Sequence, residues 1–185
     1  MKSLLRLLKN TFLILLITLS SRAFGEIQFA DSNFEAQIRN YAAKGWIYIP
    51  NYTGSNYQFS ASDLNFTTWL YIDDNGPLVS SLSDLQYFPR LNSLQISDAS
   101  KINDFSPVWN LKDTLEYLMI NGAKSSADLS GVSALSKLRS LDLEYNQLSN
   151  LNLLGNYPQL IELYLAGTSL DLSDPGIQAT VSNFR

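Results

Sequence analysis

The sequence predicts an α/β solenoid, in which short parallel strands stack into one concave sheet and helical turns lie behind it. Two observations predict this fold. Five segments carry the spacing L-x-x-L-x-L, and the residues at the middle position fall at 70, 94, 118, 141 and 163. A second set of apolar residues recurs between these segments. A unit of this size cannot bury its apolar face alone, so neighbouring units are expected to stack.

The spacing of the segments is typical of leucine-rich repeats. The steps of 24, 24, 23 and 22 residues lie within the usual range of about 20–29. The segments are Thr67/Leu70/Ile72, Leu91/Leu94/Ile96, Leu115/Leu118/Ile120, Leu138/Leu141/Leu143 and Leu160/Leu163/Leu165. The residues between them are Leu82/Leu85/Phe88, Phe105/Val108/Leu111, Leu129/Val132/Leu135 and Leu151/Leu154/Tyr157. Each unit is therefore predicted to be a short strand followed by a turn and a tight helical or 3₁₀ segment.

One unit carries a resemblance to a known family. From Leu94 to Leu111 it reads L-x-I-x-x-A-x-x-I-x-D-F-S-P-V-x-x-L, which resembles the repeat of bacterial internalin-like surface proteins. The stretch 29–36 is similar to the helical cap of secreted bacterial repeat proteins. The resemblance covers most of residues 27–172 and implies a repeat fold with a binding role. Only two of five repeats keep the family's turn asparagine, whose column reads Asn75, Ala99, Ala123, Asn146 and Thr168.

Both ends of the array are predicted to be capped. Ser32-x-x-Glu35 is the spacing of a capping box, and the helix that it starts is expected to end at Gly45. The apolar residues of 46–50 and 57–59 flank a turn-rich stretch, which predicts a hairpin. Near the C-terminus, Asp174 and Pro175 are suited to the N-cap and first position of a second helix. The predicted division is 26–66 for the N-terminal cap, 67–172 for the repeats and 173–185 for the C-terminal cap.

Residues 1–25 are predicted to be a secretory signal peptide. Lys2, Arg6 and Lys9 precede the apolar run 11–19, and Ala23 and Gly25 supply small residues for cleavage before Glu26. The protein is therefore expected to be exported, either secreted, periplasmic or at the cell surface. Loss of the signal leaves nine basic residues against 17 acidic ones. This charge disfavours nucleic acid as a partner, and no later stretch is long enough to span a membrane.

The composition also restricts the chemistry. The 185 residues include no His and no Cys, which removes histidine and thiol catalysis, zinc fingers and disulfides. No cofactor, metal site or catalytic residue is predicted, and the protein is expected not to be an enzyme.

The concave face of the sheet is the predicted binding site. Because strand side chains alternate, the residues beside the buried leucines line this face. Among 20 such positions there are six carboxylates, five aromatic residues and no Lys or Arg. The residues predicted to bind a partner are Trp69, Tyr71, Asp73, Gln95, Asp98, Tyr117, Met119, Asp142, Glu144, Tyr145, Glu162 and Tyr164.

These features predict an exported, non-catalytic module that recognises a protein or peptide of basic character. Two alternatives stay open. One is a structural or self-assembling envelope component that uses its caps or its convex face, where Trp109 and Tyr157 are expected. The other is carbohydrate binding by exposed aromatic side chains.

Overall fold

A computed structural model describes residues 25–148, 150–154, 157–171 and 173–182. The predicted signal peptide lies outside these residues except for Gly25. The strands are β1 (Trp69–Ile72), β2 (Ser93–Ile96), β3 (Tyr117–Ile120), β4 (Ser140–Asp142) and β5 (Glu162–Tyr164). The α-helices are α1 (Ser32–Ala43), α2 (Ala61–Leu64), α3 (Ser106–Trp109) and α4 (Pro175–Ser182), and 3₁₀ helices span Ser83–Tyr87 and Ser130–Ala134.

The five strands form one parallel sheet in chain order, as the repeat spacing predicts. The register is regular, because Leu70, Leu94, Leu118, Leu141 and Leu163 lie side by side across the sheet. Alternate residues of each of the first three strands are buried, and their neighbours are half-buried. One face of the sheet therefore packs on the core and the other remains accessible.

The segments between the strands form the opposite wall of the core. The two 3₁₀ helices and α3 each turn the chain back after a strand, and α3 packs against both 3₁₀ helices. The apolar residues predicted to recur here are buried, including Leu85, Phe88, Val108 and Val132. Burying one such side chain contributes roughly 1.5–3 kcal/mol. Because each repeat buries these side chains against the adjacent repeats, neighbouring repeats stabilise one another.

Asn146 performs the structural role predicted for the repeat asparagine. Its buried amide donates to the carbonyl oxygens of Ile120 and Leu143 and accepts from the backbone N–H of Ala123. In the next repeat the Thr168 hydroxyl donates to the Leu165 carbonyl oxygen. Asn75 is instead exposed. Of the two asparagines in this column, Asn146 is the one that joins neighbouring repeats among the described residues.

Helix α1 begins one residue earlier than the predicted capping box requires. Asp31, not Ser32, is the N-cap, and its Oδ1 atom accepts from the backbone N–H groups of Asn33 and Phe34. Glu35 forms an ion pair with Arg39 one turn later. The prediction of Ser32 as the cap was wrong because a carboxylate at the preceding position accepts both free N–H groups.

The predicted hairpin is not formed. Residues 46–59 make turns, with Asn51 and Gly54 at positive φ, and the rings of Tyr52, Tyr57 and Phe59 pack on one another. Helix α2 was not expected from the sequence, and its N-cap Ser60 forms a capping box with Asp63. Aromatic packing and this cap replace strand pairing in the segment.

Helix α1 closes the outer edge of β1. The Gln37 amide accepts from the backbone N–H of Asp73 and donates to its carbonyl oxygen. The Tyr41 hydroxyl donates to the Tyr71 carbonyl oxygen at 2.6 Å. These bonds satisfy backbone groups that an edge strand would otherwise leave open, which supports the predicted role of α1 as a cap.

The opposite end of the sheet is more open. Asp174 is the N-cap of α4, as predicted, and its Oδ1 atom accepts from the N–H groups of Gly176 and Ile177. Leu163 and Leu165 are only half-buried, whereas Leu141 and Leu143 in the preceding repeat are fully buried. Within the described part of the chain, β5 pairs with β4 alone.

Two buried aspartates join the N-terminal segment to the first repeat. Asp84 accepts from the backbone N–H groups of Ala30 and Asp31. In return, Asp31 Oδ2 accepts from the backbone N–H groups of Ser80 and Ser81 and from the Ser80 hydroxyl. Burial raises the pKa of Asp31, but these hydrogen bonds outweigh it and hold the pKa below its usual value. Burial raises the pKa of Asp84 above its usual value.

We expect Asp31→Asn to lower the free energy of unfolding by about 1–3 kcal/mol at neutral pH. The substitution keeps an oxygen for the helix cap but places an amide nitrogen against the donors of Ser80 and Ser81. Because the folded-state pKa of Asp31 is depressed, its contribution is present above the unfolded-state value of 3.8 and is lost as the pH falls through the folded value. The difference between the two proteins should therefore shrink below about pH 4.

Urea unfolding across this pH range measures the effect. Asp104→Asn is the matched control, because Asp104 is exposed and accepts a single backbone bond from Ser106. Equal stability losses in the two variants would contradict the assignment.

Candidate functional site

The concave face consists of two continuous rows of side chains. One row runs Trp69, Ser93, Tyr117, Ser140 and Glu162, and the other runs Tyr71, Gln95, Met119, Asp142 and Tyr164. Adjacent members of a row come from neighbouring strands, which lie about 4.8 Å apart. The strand register therefore brings together eight residues of the predicted binding set on one surface, with Ser93 and Ser140 between them.

The end of the face nearest α1 packs against this helix and is hydrogen-bonded to it. The rings of Trp69 and Tyr41 lie 6.3 Å apart between centroids. The Asp73 carboxylate accepts from the Tyr41 hydroxyl at 3.0 Å and from the Asn75 backbone. Trp69, Tyr71 and Asp73 are half-buried, so they serve both the cap and the accessible surface.

The middle of the face, on β2 and β3, carries fewer charged side chains than the C-terminal part. Gln95 and Met119 lie side by side and are half-buried. Asp98 follows β2, where its Oδ1 atom accepts from the Ser100 backbone. Asp98 also lies against Gly122 of the next repeat. This carboxylate closes a turn and is less available to a partner than a free one.

The C-terminal part of the face carries three carboxylates, which belong to Asp142, Glu144 and Glu162. Asp142 Oδ1 accepts from the Glu144 backbone N–H at 2.9 Å. With its amide nitrogen turned toward the same oxygen, Asn121 donates to it at 3.2 Å. Burial raises the pKa of Asp142 although the bond from Glu144 lowers it. These bonds fix one carboxylate oxygen and leave Oδ2 for other contacts.

Two tyrosines flank these carboxylates. Burial, followed by the charges of Asp142, Tyr164 and Glu162, raises the pKa of Tyr117. Tyr164 is 42% exposed at the outermost strand. Aromatic rings beside carboxylates provide contact area and an attractive environment for a cation.

Tyr145 stands at the rim of the face in a strained conformation. Its φ of 58° lies in the left-handed region, which a bulky side chain rarely adopts. Its side chain is 66% exposed. A Cβ added to Gly167 would lie 2.6 Å from the Tyr145 ring, so the ring rests on the glycine backbone of the next repeat. This contact supports one side of the ring and leaves the rest accessible.

The sequence analysis did not select two residues of the face, Ser140 and Asn121. Ser140 is only 6% exposed, and its hydroxyl has no hydrogen-bond partner among the described residues. Asn121 is buried beside Asp142. Both occupy positions on the predicted face. The sequence could have identified them by residue type, because Ser140 is small and Asn121 carries an amide among larger or charged neighbours.

The three carboxylates have no cationic partner in the described part of the chain. The ion pair found there joins Arg39 to Glu35, both of α1. Across the same residues, no group of three acidic, His or Cys side chains is arranged to hold a metal ion. No helix in this part of the protein has the length and apolar character needed to cross a bilayer.

The fold has a counterpart among solved structures. No protein-family model and no curated protein matches the chain. An internalin from Listeria monocytogenes aligns with a TM-score of 0.55 and 23% identity, over 84% of this chain and 47% of that one. The fold is an internalin-like leucine-rich repeat solenoid. The chain spans about half the length of this internalin. Internalin C2 from the same organism aligns over 85% and 92% of the two chains at 17% identity, but its TM-score of 0.31 is too low to support an argument.

We expect Tyr145→Gly to raise the free energy of unfolding by about 0.5–1 kcal/mol, because glycine adopts the left-handed conformation without steric cost. The exposed ring contributes little burial to offset this gain. Thermal or urea unfolding measures the change. Asn51→Gly is the control, since Asn51 has a φ of 61° but asparagine tolerates that region. A loss of stability on Tyr145→Gly would show that the ring is a packing residue.

Proposed function

We propose that the protein is an exported, non-catalytic binding module of bacterial origin. It recognises a protein or peptide of basic character through its concave face. The observation that carries this proposal is the group of unpaired carboxylates at Asp142, Glu144 and Glu162, flanked by tyrosines on an accessible sheet. Desolvating such charges is costly unless a cation compensates them, so a basic partner fits this surface better than a neutral one.

Tyrosines strengthen the same interpretation. Tyr117, Tyr145 and Tyr164 offer large contact areas with few rotatable bonds, which is typical of binding hot spots. Tyr145 adopts a left-handed backbone conformation, and strain of this kind is frequent at ligand-binding positions. Repeat solenoids present extended surfaces of this kind, and the internalin-like fold is consistent with a binding role.

The absence of His and Cys from the sequence supports a non-catalytic role, because carboxylates are the main remaining candidates for acid–base chemistry. The carboxylates of Asp142, Glu144 and Glu162 stand on an accessible sheet face.

A second candidate function is self-assembly through the N-terminal cap. Trp46, Tyr48 and Phe66 are 57%, 79% and 61% exposed and line a common cavity of about 150 Å³. An exposed aromatic cluster favours an apolar contact. The convex residues give less support to this alternative, because Tyr157 is buried and the Trp109 ring packs on Phe105.

Affinity capture with the purified protein tests the main proposal. The triple variant Asp142→Lys/Glu144→Lys/Glu162→Lys should lose the captured partner, and capture by the parent should weaken as salt rises. The control Asp104→Lys/Asp113→Lys/Asp128→Lys makes the same charge change at exposed positions outside the face and should retain the partner.

Because Asp142 accepts hydrogen bonds within the protein, Glu144→Lys/Glu162→Lys provides a variant that leaves those bonds in place. Capture that is equal in the parent and in this double variant would contradict the role of the face. Salt-independent self-association that Tyr48→Ser abolishes would favour assembly through the cap.

A further inference from the structure

Ser140 is an unusual residue for the centre of an accessible sheet face. Its neighbours Leu141 and Leu143 are fully buried in the core, so strand alternation directs the Ser140 side chain to the concave side. There it lies between Tyr117 of β3 and Glu162 of β5 in one row. Its hydroxyl is nevertheless shielded from solvent and has no hydrogen-bond partner in the described part of the protein.

A buried hydroxyl without a partner is costly. Asp142 lies on the same strand as Ser140, Glu144 follows it and Glu162 lies on the neighbouring strand, and none of these carboxylates has a cationic partner among the described residues. The hydroxyl and the carboxylates are separate observations. The carboxylates accept hydrogen bonds and the hydroxyl can accept as well as donate, so a cation with several N–H donors complements all of them.

We propose that this part of the face is a subsite for an arginine side chain of the partner. The inference rests on the proposed function and specifies the chemistry that the face recognises. The guanidinium donates to Asp142 Oδ2, to the Glu162 carboxylate and to Ser140 Oγ, and its plane packs against Tyr117 or Tyr164. This contact requires the side chains that now shield the Ser140 hydroxyl to move aside.

Arginine fits these acceptors better than lysine does. Its planar group carries five N–H donors in a fixed arrangement, whereas an ammonium group carries three donors around a single point. Acceptors spread over two neighbouring strands require this wider reach. Guanidinium groups also stack on aromatic faces, and two tyrosines lie beside the carboxylates.

Asn121 supports the subsite without touching the ligand. Its amide and the Glu144 backbone N–H both bond to Asp142 Oδ1. This pair fixes the carboxylate and directs the second oxygen outward. We therefore regard Asn121 as a positioning residue.

The test uses three capped glycine peptides that differ only in a central arginine, lysine or citrulline, titrated into the purified protein and followed by NMR. We expect the arginine peptide to bind at least about threefold more tightly than the lysine peptide. Citrulline keeps the shape but not the charge, and it should weaken binding at least about tenfold. Equal binding of arginine and lysine, or of arginine and citrulline, would overturn the proposal.

Two serine variants separate binding from folding. Ser140→Ala removes an unpartnered hydroxyl, so it should leave the thermal midpoint equal or higher while weakening the arginine peptide about fivefold. Ser93→Ala is the matched control, because Ser93 occupies the same row two strands away, and it should change neither quantity. Unchanged arginine binding in Ser140→Ala would also overturn the proposal.

The outcomes distinguish this inference from the proposed function. If charge reversal abolishes capture of a partner but the arginine peptide does not bind, the subsite is wrong and the binding face stands. If charge reversal leaves capture unchanged, the proposed function fails, whatever the peptides do.

Discussion

The burial of alternate strand residues, held in register across five parallel strands, is the constraint on which the rest of the structure depends. Leu94, Leu118 and Leu141 lie side by side with no solvent exposure. A strand with one face in the core must present its other residues outward. The same leucines that stabilise the solenoid therefore determine which side chains form the concave rows.

This constraint separates structural and functional residues along each strand. The face near α1 is tied to the cap by Gln37 and Tyr41. Among the described residues, the face near β4 and β5 instead carries carboxylates without cationic partners, a serine hydroxyl without a hydrogen-bond partner and a strained tyrosine. Under the proposed function, a bound cation supplies hydrogen-bond donors to the carboxylates and to the hydroxyl. Functional sites commonly lower the stability of the unbound protein, which is a trade between stability and function.

Periodicity predicted the strands, the register and the accessible rows, because repeat spacing and alternation are properties of sequence. Capping chemistry predicted the N-cap at Asp174, because a short acidic residue precedes a proline there. Prediction from the sequence failed between Trp46 and Phe59, where aromatic packing replaced the expected hairpin, and at Ser32, where Asp31 caps the helix. It also did not select Ser140, because the burial of a hydroxyl depends on its neighbours in adjacent strands.

Fluorine NMR of the protein labelled with 3-fluorotyrosine tests the central claim most directly. A short peptide of alternating glycine and arginine should shift the resonances of Tyr117, Tyr145 and Tyr164, which lie on or beside the carboxylate-bearing part of the face. The resonances of Tyr52, Tyr57 and Tyr87, which lie away from the concave face, should stay in place. Shifts confined to this second group would contradict the account, because the peptide would then bind the cap and not the sheet.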